Sequence, residues 1–266
     1  MIDTHTHSTF SPDATASMAE MAAAAERIGL AGLAFTDHVE WVPEDEAYEF
    51  MAPDAYFKEL TALREHYAGR FTLLSGAELG NPHEFPAEAK AFVHAHPWDI
   101  VLGSIHWLDH KPGWYASTYK NMGGLDAAYE QYFIDLATLV EHGEFDVLAH
   151  FDMVRRDSWA LFEEVLPLDP YAEQIRVILR RLIERGKGLE INTSGLRKGM
   201  TTPQPDLTVL TWYRELGGEL LVFGSDAHRP EEIAQPFDQA RELALAAGFT
   251  RLARYERRQV VGWIVL

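Results

Sequence analysis

Residue types that bind metal ions recur where the predicted strands end. The chain opens MIDTHTH, so that His5 and His7 lie two residues apart. Residues two apart in a strand point to the same face, and both imidazoles could therefore bind one ion. The other strand-like segments with such endings are LAFTDH at Asp37 and His38, TLLSGAE at Glu78, IVLGSIH at His106, DVLAH at His150 and LLVFGSDAH at Asp226 and His228. One histidine after a strand has many structural uses, but six such endings indicate a metal centre.

The available donor groups restrict the kind of centre. The chain has no cysteine, which excludes thiolate zinc sites, disulfides and cysteine nucleophiles. Imidazole and carboxylate groups suit zinc, iron, manganese or nickel. The sequence therefore argues against a purely structural zinc site.

The strand-like segments alternate with longer helical patterns, which predicts βα units around a parallel sheet. There are seven strand candidates, and each is followed by a helix or by a helix and a loop. The segment TASMAEMAAAAERIG predicts a helix with Ser17 and Glu20 as its capping box and Gly29 at its end. In a parallel barrel the carboxyl ends of the strands share one face, so distant ligand residues would converge there. We predict a closed α/β barrel, with an open doubly wound sheet as the alternative.

The charge balance excludes several classes of function. The 266 residues include 41 acidic and 23 basic side chains, for a net charge of −18. Nucleic-acid binding needs a basic surface, so we expect no nucleic-acid partner. No apolar run reaches the roughly 18 residues of a membrane span, and no secretory signal pattern opens the chain. We therefore expect a cytoplasmic protein with no membrane partner.

The ordered motifs resemble those of the PHP (polymerase and histidinol phosphatase) superfamily. They are H-x-H with an acid or histidine six residues on, T-D-H, G-x-E, S-x-H, A-H-x-D and G-S-D-A-H, spread over residues 1–228. The resemblance implies a distorted (β/α)7 barrel, with residues 1–266 forming a single phosphoesterase domain. It also implies three divalent metal ions, with zinc, iron and manganese as candidates, at the C-terminal ends of the strands.

Carried over motif by motif, the resemblance implies nine metal ligands in three sets. One ion would bind His5, His7, Glu78 and Asp226, a second would share Glu78 and add His106 and His150, and a third would bind Asp13, His38 and His228. Many members have histidine at the position of Asp13. The identity or occupancy of the third ion is therefore open.

Within the superfamily the chain is most similar to the monofunctional histidinol-phosphate phosphatases. This similarity is carried by the segments HSTFSPDA, GAELG, GSIHW, HFDMVRR and EINTSGLRKG. It implies hydrolysis of L-histidinol phosphate to L-histidinol and phosphate, in histidine biosynthesis, by attack of a hydroxide that bridges two metal ions. The partner would be this small phosphomonoester, and the chain would be a monomer or a homodimer.

Residues near the same strand ends are candidates for catalysis. The catalytic candidates are Glu78 as a bridging carboxylate, Asp13, His38 and Asp152. Asp37, His38 and Asp152 could each protonate the leaving group, and the sequence does not choose among them.

Phosphate favours guanidinium groups, and several lie after the predicted strands. The candidate phosphate-binding residues are Arg156, Arg197, Arg155, Asn192 and Ser194, with Lys198 beside Arg197. The imidazole and ammonium groups of the substrate would favour carboxylates and aromatic rings. These are supplied by Glu40, Trp41, Glu44, Asp45 and Glu46, and by Trp107 and Trp114, although a solvated acidic loop is equally consistent with the sequence.

The sequence leaves three alternatives to this function. A PHP phosphoesterase could act on another small phosphomonoester, a nucleotide or phosphotyrosine. A degenerate PHP module would bind no metal. An amidohydrolase would need a lysine at a strand end, for which Lys187 and Lys198 are the nearest options. The tail QVVGWIVL could be an edge strand, a barrel plug or a dimer contact.

Overall fold

Seven parallel strands form the frame of the molecule in the computed structural model, which describes residues 1–266. In spatial order they are β1 (Ile2–Thr6), β2 (Gly32–Phe35), β4 (Thr72–Gly80), β5 (Ile100–Ser104), β8 (Val147–Leu148), β9 (Gly188–Asn192) and β10 (Leu221–Gly224). This order follows the order along the chain, as in a singly wound barrel.

The first and last strands approach each other at their carboxyl ends. The backbone N–H of His7 donates to the carbonyl of Ala227 at 2.8 Å, and that of Asp226 donates to the carbonyl of His5 at 2.8 Å. Thr6 and Ala227 form a parallel bridge. The prediction of a (β/α)7 barrel is confirmed, and the open sheet is excluded.

Ten helices surround the barrel or cover its ends. They are α1 (Met18–Arg27), α2 (Pro53–His66), α3 (Pro86–Ala95), α4 (Ala116–Met122), α5 (Leu125–His142), α6 (Met153–Phe162), α7 (Ala172–Glu184), α8 (Ser194–Arg197), α9 (Leu207–Glu215) and α10 (Phe237–Ala246). Helix α1 begins with the predicted capping box of Ser17 and Glu20, and Gly29 follows its end with a φ of 80°. No helix is both long enough and apolar enough to cross a membrane.

Short strands modify each end of the barrel. Strand β3 (His38–Val39) extends the sheet beside β4, and β6 (Trp107–Leu108) pairs with β7 (Lys111–Pro112) after β5. The C-terminal strands β11 (Arg251–Glu256) and β12 (Gln259–Val265) form a hairpin. Strands β3, β6 and β7 have two residues each and lie outside the apolar runs, so no pattern predicted them, whereas the equally short β8 lies within the apolar segment DVLAH.

The C-terminal hairpin closes the barrel at the amino ends of its strands. Its residues Ala253 and Tyr255 pack with Ile2, Leu74 and Val222 inside the barrel. The turn between the strands is held by the N–H of Arg258, which donates to the carbonyl of Asp99 at 2.8 Å. Of the three roles suggested for the tail, β12 is therefore both an edge strand and part of the barrel plug.

Candidate metal centre

Glu78 lies near the end of the long strand β4, and histidines surround its carboxylate. On one side, its Oε2 lies 3.3 Å from His5 Nε2, 3.5 Å from His7 Nε2 and 3.0 Å from His38 Nδ1. On the other side, its Oε1 lies 3.2 Å from His106 Nε2 and 2.7 Å from His150 Nε2. The barrel thus brings five predicted histidine ligands from four segments of the chain to one carboxylate.

Asp226, Asp13 and His228 complete the cluster. Asp226 Oδ1 lies 3.4 Å from His7 Nε2 and 3.8 Å from His5 Nε2. Asp13 Oδ2 lies 3.0 Å from His228 Nε2 and 3.5 Å from His38 Nε2. All nine predicted ligands therefore lie in one continuous group of donor atoms.

Several donor atoms in this group have no hydrogen-bond partner although they are buried. They are His5 Nε2, His7 Nε2, His38 Nδ1 and Glu78 Oε2. Buried polar atoms are rarely left without a partner, because the loss of water is costly. Donor atoms close enough to share one ion occur in four groups: His7, His38 and His228; His5, Glu78 and His150; His5, His7 and Asp226; and His38, Glu40 and His106. The residues present therefore fit divalent cations bound by nitrogen and oxygen.

The charges in the cluster also favour cations. Burial, with the neighbouring His228 and His38, lowers the pKa of His7 to about 3, which keeps its imidazole neutral as a ligand must be. Burial opposes a positive charge on His5, but Glu190, Glu78 and Asp226 still hold the pKa of His5 well above its usual value. A metal cation among these acids would supply the positive charge in place of that proton.

The backbone is strained at two of the predicted ligands. His150 has a φ of 24° and Asp226 a φ of 54°, a region that residues with a Cβ seldom adopt. Such strain persists only where the surrounding structure imposes it, and it is frequent at functional sites. Here the unusual backbone follows directly after strands β8 and β10.

The candidate metal centre forms the floor of an open cavity of about 920 Å³. Arg156 lines the cavity, and its Nη1 donates to Asp226 Oδ2 at 3.0 Å and to Ser194 Oγ at 3.2 Å. Lys198 lies on the same wall. The predicted residue Ser194 is buried behind Arg156, where it contacts the guanidinium.

Besides Ser194, four of the predicted catalytic and substrate-binding residues lie outside the cavity. Arg155 immediately precedes Arg156 on helix α6, so its side chain points about 100° away around the helix axis, and it pairs with Asp152 and Asp206, each at 2.9 Å. Arg197 donates to the backbone carbonyls of Gln235 and Asp226. Neither guanidinium is directed at the metal centre, because other acceptors already hold it.

The other two are buried polar side chains. Asp152 is fully buried against Arg155, and burial raises its pKa to about 6. Asn192 accepts hydrogen bonds from Ser194 and donates to Glu190. Asp37 is likewise buried, and it accepts hydrogen bonds from Ser8 and Ser11. These side chains stabilise the loops around the centre and do not face the cavity.

The rim of the cavity contains most of the acidic and aromatic residues that the sequence suggested, but Trp41 packs against Phe85 and Phe92 and does not line the cavity. Glu44, Asp45 and Glu46 line it, and Trp107 Nε1 donates to Asp45 Oδ2 at 2.8 Å. Trp114 contacts Trp107 edge-to-face, with 5.8 Å between ring centroids. The loop after β3 and the hairpin β6–β7 are therefore joined across the cavity mouth.

The contacts to the Nδ1 atoms of His5, His7 and His106 were not predicted from the sequence. Ser11 Oγ lies 3.0 Å from His7 Nδ1, and Glu190 Oε1 lies 2.7 Å from His5 Nδ1. Glu40 lines the cavity, as the sequence suggested, but its carboxylate also contacts His106 Nδ1, which was not predicted. The sequence feature that could have identified Glu190 is its position between the apolar residues Leu189 and Ile191 of a predicted strand.

Of the two lysines considered for an amidohydrolase, neither ends a strand. Lys187 precedes β9 and lies over the ring of Phe145, 5.7 Å from its centroid. Lys198 follows helix α8 and belongs to the cavity wall. The geometry therefore does not support a lysine bridge between metal ions.

Comparisons with known proteins agree with this geometry. The PHP domain model matches residues 3–194. A protein of Clostridium acetobutylicum named as a probable histidinol-phosphatase is 30% identical over 245 residues, which is 92% of each chain. The histidinol-phosphatase of Lactococcus lactis is 25% identical over 260 residues, covering 97% of this chain and 96% of its own.

Solved structures share the fold. The crystal structure of histidinol phosphate phosphatase from Lactococcus lactis, complexed with zinc, L-histidinol and phosphate, superposes with a TM-score of 0.85 at 23% identity and covers 98% of each chain. The putative histidinol phosphatase of Listeria monocytogenes gives a TM-score of 0.79 at 21% identity, covering 90% of this chain and 99% of its own. With its seven-stranded barrel and matching family model, the chain belongs to the PHP domain family.

Proposed function

We propose that this protein is a metal-dependent phosphomonoesterase that hydrolyses L-histidinol phosphate to L-histidinol and phosphate. The observation that carries the proposal is the convergence of nine histidine and carboxylate side chains at the floor of a cavity that also contains Arg156. The named relatives, which match this chain over nearly their whole length, supply the substrate.

The nine residues would hold three divalent ions, with zinc, iron and manganese as the candidates. The proposed sets are His5, His7, Glu78 and Asp226; Glu78, His106 and His150; and Asp13, His38 and His228. When bound, such ions supply Lewis acidity, which neutralises charge on phosphate oxygens and makes a water molecule more acidic. Glu78 would belong to two sets because its two oxygens face different histidines.

Arg156 and Lys198 would bind the phosphate group. Arg156 is held by Asp226 and Ser194, so its guanidinium is already oriented before a substrate arrives. The neighbouring Arg156, together with burial, lowers the pKa of Lys198, because the two cations repel each other. A phosphate dianion between them would relieve that repulsion and form charge-assisted hydrogen bonds. Lys198 thus takes the role that the sequence suggested for Arg197.

The leaving alkoxide needs a proton, and the cavity restricts its source. Of the three candidates from the sequence, only His38 lines the cavity, since Asp37 and Asp152 are buried away from it. Burial opposes the charged form of His38, but Glu78 and Asp13 hold its pKa well above the usual value. We infer that His38 is the one of the three placed to serve the leaving oxygen: without an ion its imidazolium could deliver the proton, and with Asp13 and His228 it would otherwise hold an ion that neutralises the charge on that oxygen.

The acidic rim would bind the organic part of the substrate. L-Histidinol phosphate carries an ammonium group and an imidazole, and Glu44, Asp45 and Glu46 place negative charge where such groups would lie. The Trp107 and Trp114 rings offer an aromatic surface on the same rim. The rim would therefore select a cationic phosphomonoester over an anionic nucleotide.

A substrate panel tests the proposal. Phosphate release is measured from L-histidinol phosphate, a nucleoside monophosphate, phosphotyrosine and p-nitrophenyl phosphate, with enzyme reconstituted separately with zinc, manganese or iron. We expect kcat/KM to favour L-histidinol phosphate by about a thousandfold, or about 4 kcal/mol of transition-state discrimination. Equal, slow turnover of all four compounds would retain a PHP phosphoesterase and overturn the histidinol phosphate assignment.

A further inference from the structure

Two buried carboxylates outside the nine-residue set contact histidines of the metal centre from behind. Glu190 Oε1, on strand β9, lies 2.7 Å from His5 Nδ1. Glu40 Oε1, just after β3, lies 2.5 Å from His106 Nδ1. Both histidines direct their other nitrogen, Nε2, at Glu78, at 3.3 Å and 3.2 Å. The same carboxylate–imidazole arrangement thus occurs on both sides of Glu78.

Each of these carboxylates occupies space left by a glycine on a neighbouring strand. A Cβ at Gly224, on β10, would overlap the Glu190 carboxylate and the Cβ of His5. A Cβ at Gly80, at the end of β4, would overlap the Glu40 carboxylate. Neither glycine has a positive φ, so the backbone does not require glycine there. The need for room beside the carboxylate accounts for both glycines.

We propose that Glu190 and Glu40 are positioning residues that fix the tautomer and ring orientation of His5 and His106. Each carboxylate would accept a hydrogen bond from the Nδ1–H group, which keeps the proton on Nδ1 and leaves the Nε2 lone pair free for a cation beside Glu78. The inference rests on the proposed function, because it assumes that ions bind at these Nε2 atoms. The two carboxylates would therefore affect the affinity of the histidines for metal and would leave substrate binding unchanged.

The two carboxylates have different surroundings, so their glutamine variants should behave differently. Glu190 uses both oxygens: Oε1 faces His5, while Oε2 accepts from the backbone N–H of His150 at 2.7 Å and from Asn192 Nδ2 at 3.2 Å. An amide has only one accepting oxygen. In Glu190→Gln the amide NH2 would therefore face either the His150 N–H or His5 Nδ1, and in the second case it would move the imidazole proton to Nε2.

Glu40 is less constrained, because its Oε2 is buried without a hydrogen-bond partner. In Glu40→Gln the side-chain oxygen can still face His106 Nδ1, with the NH2 group in the position of that free oxygen. Glutamine should therefore be tolerated at position 40 but not at position 190. Glu40→Ala removes the acceptor altogether and should behave like Glu190→Gln.

The test measures zinc binding to metal-stripped protein by competition with a chromophoric chelator. Wild type, Glu190→Gln, Glu40→Gln and Glu40→Ala are compared with Asp146→Asn, which alters a buried carboxylate at the other end of the barrel. We expect zinc affinity to fall by about 10- to 100-fold in Glu190→Gln and Glu40→Ala, and by no more than about threefold in Glu40→Gln and Asp146→Asn. Excess zinc should restore kcat in Glu190→Gln without changing KM.

The outcomes separate the inference from the proposed function. Wild type that binds no zinc would overturn the proposed metal centre itself. Zinc-binding wild type with unchanged affinity in Glu190→Gln, or a loss matched by Asp146→Asn, would overturn the positioning role. If Glu190→Gln does not fold, the comparison of Glu40→Ala with Glu40→Gln decides: equal affinities would contradict the inference, and a selective loss in Glu40→Ala would support it.

Discussion

At the scale of single residues, the sequence identified the metal-ligand types but not the surrounding contacts. The nine predicted ligands follow from strand endings and motif order, and the barrel brings all of them to Glu78 or its neighbours. The phosphate-binding residues were harder to predict. Adjacent positions such as Arg155 and Arg156 differ only in helical phase, and that phase is set by tertiary packing.

Replacement of Arg156 by alanine tests the assignment of the phosphate site. Loss of an oriented guanidinium at the developing charge should reduce kcat/KM by about 10²- to 10³-fold. Arg197→Ala is the matched comparison, since that side chain is held by the carbonyls of Gln235 and Asp226 outside the cavity. Steady-state phosphate release measures both variants, and a larger loss in Arg197→Ala than in Arg156→Ala would contradict the assignment.

At the scale of elements, regular and amphipathic segments were predictable and short ones were not. The seven barrel strands and the cap of helix α1 follow from apolar runs, capping residues and glycine. The hairpin β6–β7 has two residues in each strand, and long-range contacts such as that between Trp107 and Asp45 hold it in place. Such contacts have no local signature in a sequence.

Helix α5 contains a carboxyl group that should make stability depend on pH. Burial raises the pKa of Asp135 to about 6, although a hydrogen bond from Gln131 opposes the shift. The unfolded chain loses this proton near pH 4 and the folded chain near pH 6. Between these values the folded state binds more protons, so this group lowers the free energy of unfolding as pH rises.

Asp135→Asn removes this titration. Relative to wild type, the variant should gain stability as pH rises from about 4 to 6, by about 1 to 2 kcal/mol, because Asp135 is only partly buried and solvent screens part of the effect. Urea denaturation of both proteins at several pH values in that range measures the difference. A difference in the free energy of unfolding that stays constant with pH would contradict the assignment.

At the scale of the whole molecule, the two ends of the barrel have separate roles. The carboxyl ends of the strands carry the candidate metal centre, whereas the C-terminal hairpin closes the amino ends. Arg258 of the hairpin turn pairs with Asp146 at 3.0 Å and with Glu144 at 2.8 Å. Substitutions at the carboxyl ends of the strands should therefore change catalysis, whereas substitutions in the hairpin should change the free energy of unfolding.

Arg258→Ala tests this separation. The loss of a cation from the buried Asp146 should lower the free energy of unfolding by about 2 kcal/mol, with kcat and KM unchanged at 25 °C. Arg181→Ala, which breaks an exposed ion pair with Glu141, should cost less than about 1 kcal/mol. Denaturation and steady-state kinetics check both variants. A selective loss of kcat in Arg258→Ala, with stability unchanged, would show that the two ends are coupled.

The central claim is that the cluster around Glu78 holds the metal ions on which phosphate release depends. The most direct measurement combines elemental analysis with phosphate release from L-histidinol phosphate, for wild type and Glu78→Gln, before and after metal stripping. We predict bound divalent ions in wild type, loss of phosphate release on stripping, recovery when metal is returned, and at least about a hundredfold loss of kcat/KM in Glu78→Gln. Full activity in the metal-stripped protein, or in Glu78→Gln, would contradict the account.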